Sequence, residues 1–422
     1  MAYNYDINHT EVDKRAQRCL LTSHTLAQIV NLFVTTFLVA HIYSFNGNTY
    51  DYLFNVAVYN IFLYLFVALL YIPFSKIVDK TNRVVVYRIS LVLKTVLVIF
   101  FIFFGKQLAE LLILAGALNG LSEALYFSSY NVLRQEMVSR KTSSNYSSYI
   151  YMLAKLVEVV CPVALGALID STGFSVTAIA VFGICVAQLI ISIWIKAQRP
   201  EGSEFNLKKY FNILKERKEV RKKIGYMYII SAIYGVSILT TTVINACIML
   251  QFGSNLSLGT ITSVFSVVAI IVIYLIKRFT KSGKRTWLFI VGAVFPLAAV
   301  IVFVVNISPT TVVILNGAIA VTCVIYKVLF DAHRNGILKE EGLYDQIAEH
   351  HSMIEILANA SRAICFAVLL LISLAQSILV FKIFVVLTII GCGGVFMLLL
   401  IYEIKYFKTS KKENVVLKDV ES

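Results

Sequence analysis

Apolar runs of about 20 residues follow one another along the whole chain, separated by short polar breaks. Twelve are long enough to cross a bilayer as helices, over residues 20–43, 52–74, 84–104, 111–131, 149–169, 175–196, 224–251, 257–276, 286–305, 310–330, 352–373 and 378–402. The links carry Asn-Gly, Ser-Thr-Gly, Gly-Ser-Asn and Ser-Pro, residues that end helices. The longest break, Lys196 to Lys223, holds Pro200 and Gly202, then Phe205, Leu207, Tyr210, Phe211 and Leu214 among basic residues. That pattern predicts an amphipathic helix lying on the anionic lipids of the inner leaflet. It divides the chain into a six-helix bundle over 1–196, a linker over 197–223, a second six-helix bundle over 224–404 and a tail over 405–422.

Composition supports the same reading. Of 422 residues, 59% are hydrophobic and 15% charged, with mean hydropathy +0.79; a soluble domain carries about 25% charged residues. The expected fold class is therefore an all-α polytopic membrane protein. No cleavable signal is expected, because 19 mostly polar residues precede the first run without a small-residue cleavage site nearby. The net charge of +14 points away from nucleic acid once its distribution is considered. If the N-terminus is cytoplasmic, the inside segments hold 32 Lys and Arg, and the outside loops hold only Lys106 and Lys382. This predicts a multi-pass protein of the plasma membrane with both termini in the cytoplasm.

The seven cysteines lie in or beside apolar runs and read as small apolar filler, not as disulfides or metal ligands. No nucleotide-binding loop and no Ser/His/Asp or metal-spaced cluster is present. An enzyme, a metal and a cofactor are not expected.

Six of the formal charges inside the runs are expected to lie within hydrocarbon: Lys94, Lys155 and Arg362 against Glu123, Glu158 and Glu355. At roughly 3 kcal/mol each, leaving all six unpaired would cost about 18 kcal/mol, more than the stability of a typical domain. Lys94, Glu123 and Glu158 lie at similar depth by helical rise, so Lys94 and Glu123 are candidate partners. Lys155 and Lys327 are shallower, where a lysine snorkels.

The link after the second run reads SKIVDKTNRV, Ser75 to Val84, and that after the eighth reads IKRFTKSGKR, Ile276 to Arg285, an offset of 201 residues. Here the chain resembles the major facilitator superfamily, whose signature at this loop is G-x-x-x-D-[RK]-x-G-[RK]-[RK]. Asp79, Lys80 and Arg83 match; Ser75 and Asn82 stand for the glycines and Val84 for the last basic residue. The second copy keeps Lys281, Gly283, Lys284 and Arg285, with Thr280 in place of the acid. The stretches AQIVNLFVTTFLVA and EHHSMIEILANASRAICF are similar to a Gram-positive branch near the glycolipid flippases that supply lipoteichoic acid. The resemblance implies two pseudo-repeated six-helix halves. It also implies a gating role for Asp79, Lys80 and Arg83, with Glu136 a partner for Arg83.

The resemblance further implies that spans 1, 4, 7 and 10 line a central cavity, and polar stripes at helical spacing test this. Span 1 offers His24, Gln28, Asn31 and Thr35; span 4 offers Asn119, Glu123, Tyr126 and Tyr130; span 7 offers Ser231, Tyr234, Thr241 and Asn245. Span 10 gives only Asn316, Cys323 and Tyr326. Glu123, the deep acid on these four helices, and Glu158 are the expected proton-coupling carboxylates. The 201-residue offset aligns Glu158 with Asn359 and Cys161 with Arg362, so Glu158, Asn359 and Arg362 are expected to face one cavity, with Lys155 and Glu355 as charge partners. Position 116 is Gly116 where proton-coupled drug antiporters carry an arginine, and only Pro162 and Gly166 survive of their span-5 pattern. The expected activity is monomeric, alternating-access transport of an amphiphilic organic solute, driven by protons. The alternatives are a flippase for a lipid-linked sugar and a non-transporting scaffold or sensor.

Overall fold

A computed structural model describes residues 14–45, 48–137, 143–196, 205–280 and 286–407. Among the described residues each apolar run forms one long helix. In chain order, spans 1 to 12 are Lys14–Tyr43, Thr49–Lys80, Arg83–Phe104, Leu112–Met137, Ser143–Thr172, Phe174–Ser192, Lys218–Phe252, Asn255–Thr280, Thr286–Val305, Pro309–Glu340, Ile347–Ala375 and Ile378–Tyr402. Eleven are long and apolar enough to cross a membrane by length and composition alone. Span 4 is the other, because Asn119, Ser122, Glu123, Ser128 and Ser129 dilute its apolar content.

Several helices outrun their apolar runs, and the large extensions are all at one face. Span 1 begins at Lys14, span 5 at Ser143 and span 7 at Lys218, while span 2 continues to Lys80, span 4 to Met137 and span 10 to Glu340. Hydropathy marks the hydrocarbon, whereas helical hydrogen bonding continues into water, where Lys, Arg, Glu and Gln are good helix formers. This end of the bundle, where Lys and Arg concentrate, is the basic face. Asn82, at a signature glycine position, caps span 3 by accepting the Val84 amide at 3.0 Å.

Glycines set how closely the helices approach. A Cβ on Gly116 or Gly120 of span 4 would come within 2.4 Å of the Tyr59 or Leu63 carbonyl oxygen of span 2, inside the first half. Between halves, a Cβ on Gly259 of span 8 would lie 2.1 Å from the Pro162 oxygen of span 5. Backbones this close leave no room for a side chain.

The buried apolar residues are distributed unevenly between the two faces. One cluster draws on both halves, including Phe37, Tyr52, Leu165, Ile244, Phe303 and Phe366, and lies toward the face opposite the basic one. Toward the basic face the apolar core is split. One cluster runs from Ala16 to Ile195 and belongs to the first half; another runs from Tyr210 to Tyr402 and belongs to the linker helix and the second half. The halves are thus fused at the opposite face and parted over much of the basic one.

A polar latch reinforces the fused side. Asp170, at the end of span 5, accepts hydrogen bonds from Ser254 Oγ (2.8 Å), Asn255 N (3.1 Å), Asn255 Nδ2 (2.7 Å) and Leu256 N (2.9 Å) at the start of span 8. A carboxylate at a helix N-terminus also meets the positive end of the helix dipole. Asp170→Ala is expected to weaken this seal by roughly 1–2 kcal/mol, with allowance for its solvent exposure. The check is maleimide labelling of the native Cys247, buried in the shared cluster. Its rate should rise severalfold in the variant, and an unchanged rate would remove Asp170 from the seal.

At the basic face the halves still touch along spans 2 and 11, where the Ser75 and Ser352 hydroxyls lie 3.3 Å apart. The linker crosses here: the Phe205 amide donates to Asp79 Oδ2 (3.0 Å) and the Asn206 amide to Glu349 Oε1 (2.7 Å). The helix Leu207–Glu216 follows. Its Tyr210 is fully buried, with its hydroxyl 2.7 Å from Tyr228 Oη and 3.0 Å from His350 Nδ1. Burial pushes the Tyr210 phenol up to about 12, so it stays neutral at physiological pH.

Candidate functional site

A cavity of about 740 Å³ lies between the halves. Its wall comes from spans 1, 4, 5, 7, 10 and 11, and its residues occupy the part of each span nearer the basic face. Thr35, Glu158 and Arg362 lie deepest, and Arg134, Ile150 and Phe330 stand toward the mouth. Below the floor, the shared apolar cluster and the Asp170 latch close the path. At the floor, span 1 passes through a π-helical turn, Phe33–Phe37, a local widening often found at functional sites.

Aromatic side chains from both halves form the wall. In the first half, His24 stacks on Tyr130 at 4.1 Å between ring centres, and its Nδ1 lies 2.8 Å from Tyr126 Oη. Gln28 Nε2 lies 3.0 Å from His24 Nε2, which orients the ring from the other side. In the second half, Tyr234 stacks on Tyr326 at 3.9 Å, and Tyr326 on Phe330 at 5.2 Å. Tyr126 and Tyr130 correspond to Tyr326 and Phe330 at an offset of 200 residues. Span 10, whose polar stripe is poor, therefore repeats an aromatic pair instead, and that self-similarity is the sequence signal for Phe330.

The charged side chains sort by depth. Lys155 and Glu158 form an ion pair one turn apart on span 5, with Glu158 in the cavity wall. Pro162 lacks the amide that would close the helical bond to the Glu158 carbonyl, which loosens the helix at that point. On span 11, Asn359 links two charges: its amide nitrogen donates to Glu355 Oε2 at 3.4 Å, and its oxygen accepts from Arg362 Nη1 at 2.9 Å. Arg362 also lies over the Tyr64 ring at 5.4 Å, and Lys327 over the Tyr151 ring at 5.4 Å. Glu355, Arg362, Arg134 and Lys327 all belong to the wall.

Other expected cavity residues lie outside the wall. Lys94 Nζ is 2.5 Å from Glu123 Oε1 and 2.7 Å from Asn119 Oδ1, and Asn119 Nδ2 donates to Tyr59 Oη at 2.7 Å. This buried network joins spans 2, 3 and 4 within the first half, so Glu123 and Asn119 do not reach the cavity. Thr241 and Asn245 sit farther along span 7, toward the closed face. Asn359 is 3% exposed behind the wall that its neighbours form. At the basic face, Asp79 and Arg83 pair at 3.6 Å while Lys80 is exposed. The side chains of Glu136, Lys281, Lys284 and Arg285 lie outside the described residues. Among the described residues, no group of three or more His, Cys, Asp or Glu is placed to hold a metal ion.

The profile of the Major Facilitator Superfamily matches residues 19–332. The chain belongs to this superfamily. Its fold matches that of a bacterial homologue of the iron transporter ferroportin in an inward-facing crystal structure, with TM-score 0.66 and 16% identity over 92% of this chain and 98% of that one. A crystal structure of a bacterial homologue of ferroportin in an outward-facing state gives 0.61, with 16% identity over 94% of this chain and 100% of that one. A peptide transporter in complex with alafosfalin gives 0.66, at 12% identity over 92% and 93%. In sequence, the chain is 21% identical to the uncharacterized protein YqgE of Bacillus subtilis (strain 168), over 72% of this chain and 69% of that protein. A superfamily member with this fold is a secondary transporter of a small-molecule substrate. The cavity is closed at one face by the shared apolar cluster and the Asp170 contacts, and the apolar cores are parted at the other.

Proposed function

We propose that the protein moves an amphiphilic organic solute across the plasma membrane by alternating access, coupled to protons through Glu158. The basic face is the cytoplasmic one in this reading, as the distribution of Lys and Arg supports, and the cavity is open inward. The observation that carries the reading is the composition of its wall: two stacked aromatic groups, one from each half, beside the Lys155–Glu158 ion pair at the floor. Aromatic side chains accept an apolar body, and the polar floor accepts a head group.

Glu158 serves coupling better than Glu123. Its side chain is 38% exposed against 13% for Glu123, and it stands in the cavity wall, which Glu123 does not reach. Protonation of Glu158 releases the Lys155 ammonium to a substrate, which links proton binding and solute binding at one place. Glu123 instead holds three helices of one half together.

The test is reconstitution in liposomes with an imposed pH gradient, following fluorescent amphiphiles inside the vesicles and a fluorescent glycolipid between the leaflets. Wild type should show gradient-driven flux. Glu158→Gln should lose at least tenfold of the driven component and keep downhill exchange, whereas Glu123→Gln should keep the coupling. Full coupling in Glu158→Gln would remove Glu158 from this role, and lost coupling in a folded Glu123→Gln protein would return it to Glu123. Movement of the glycolipid alone would assign the cavity to a lipid-linked sugar.

A further inference from the structure

The charges around the cavity do not balance. Among the described residues, Lys327 and Arg362 stand in its wall and Lys155 stands beside it, against two carboxylates, Glu158 and Glu355. Glu158 is engaged by Lys155. Glu355 and Arg362 are seven residues apart on one helix, about 10 Å along its axis, and they communicate only through the Asn359 amide. No described carboxylate lies within ion-pairing distance of Lys327 or Arg362; each rests on an aromatic ring. A cation surplus at membrane depth is costly unless water or a counter-charge meets it, and a concave site of one sign concentrates ligands of the other.

Unused hydrogen-bonding groups lie in the same wall. Arg362 Nε and the Tyr130 hydroxyl are buried without a hydrogen-bond partner, and the Tyr130 side chain is only 3% exposed. Buried polar groups are ordinarily satisfied. A guanidinium nitrogen and a phenol are both donors, and a guanidinium pairs well with the oxygens of a carboxylate or phosphate. The apolar part of such a ligand would lie along the aromatic wall described above.

We propose that the cavity selects organic anions, in which a carboxylate or phosphate is carried on an aromatic or otherwise apolar body. This rests on the cavity being the substrate site, and it narrows the amphiphilic solute to one sign of charge. Arg362 and Lys327 are the residues that set that sign.

The experiment compares naphthalenes of matched body: 1-naphthyl phosphate and 1-naphthoate, an uncharged naphthyl glucoside, and a naphthylmethyl trimethylammonium. Each is titrated against the purified full chain in nanodiscs, and affinity is read from the concentration dependence of the thermal unfolding midpoint. At least one anion should bind tenfold or more tightly than the cation. Arg362→Gln and Lys327→Gln should each weaken that anion about tenfold, Arg362→Lys should weaken it less, and the exposed Lys215→Gln should leave it unchanged. The inference is overturned if the cation binds as tightly, if neither anion binds, or if neither cavity substitution weakens anion binding. The nanodisc measurement needs no gradient, so the two readings fail separately. An anion that binds but never moves in the vesicle assay would contradict transport and leave the selectivity standing. Driven flux of the cationic or uncharged probe without anion binding would do the reverse.

Discussion

Lys94→Met is expected to destabilise the protein by about 3–5 kcal/mol, the cost of leaving a buried charge without its partner. Lys94 and Glu123 side chains are 8% and 13% exposed, and Asn119 beside them is fully buried. With the ammonium gone, the Glu123 carboxylate loses its counter-charge, and Asn119 Oδ1 loses its donor. Replacing both charges, Lys94→Met with Glu123→Leu, should recover most of the loss, because well-packed apolar residues often match a buried ion pair. Thermal unfolding in detergent of the wild type, both single variants and the double variant checks this. A single variant within 1 kcal/mol of wild type would show that water reaches the pair.

Gly259→Val is expected to change which face is open, with little effect on either half by itself. The added Cβ would lie 2.1 Å from the Pro162 oxygen across the seam between spans 5 and 8, and that atom is backbone and cannot rotate away. The halves can relieve the clash by parting at the face opposite the basic one. A tenfold or larger rise in the population open at that face is expected, read as faster labelling of Cys247. Gly120→Val makes the instructive contrast. Its Cβ meets the Leu63 oxygen at 2.4 Å inside one half, where no rigid-body motion gives relief. That variant should lower the unfolding midpoint without favouring either face. If the two variants behave alike, the seam between halves is not the moving part.

Much of the fold was legible in the sequence because its signals are long and strong. Hydrocarbon needs runs of about 20 apolar residues, and the runs near 84–104 and 286–305 have counterparts in helices Arg83–Phe104 and Thr286–Val305. Helix ends at the basic face were not legible, because hydropathy stops at the hydrocarbon and hydrogen bonding does not. Arg88, three of whose four hydrogen-bond contacts run to the Ser192 and Ile193 carbonyls closing span 6, belongs to this zone.

The site was legible by helix face but not by depth. Asn119, Glu123, Tyr126 and Tyr130 repeat at helical spacing on span 4, yet only the two tyrosines lie above the cavity floor. Thr241 and Asn245 fall below it on span 7 for the same reason. One polar stripe serves the whole membrane thickness, and a single conformation opens only part of it. The second aromatic group escaped the polar criterion because Phe330 carries no polar atom. The offset of 200 residues between Tyr126, Tyr130 and Tyr326, Phe330 would have found it.

The central claim is that one cavity serves both faces in turn, and the most direct test measures distances across both ends at once. Spin labels at exposed Ser171 and Gln251 report on the opposite face, and labels at Lys14 and Lys218 report on the basic face, with the seven cysteines replaced. Gly259→Val, or a bound transported solute, should add a population with a longer Ser171–Gln251 distance and a shorter Lys14–Lys218 distance, the two changing together. A single distance at each face, unmoved by either, would contradict alternating access and leave the cavity a fixed inward-opening cleft.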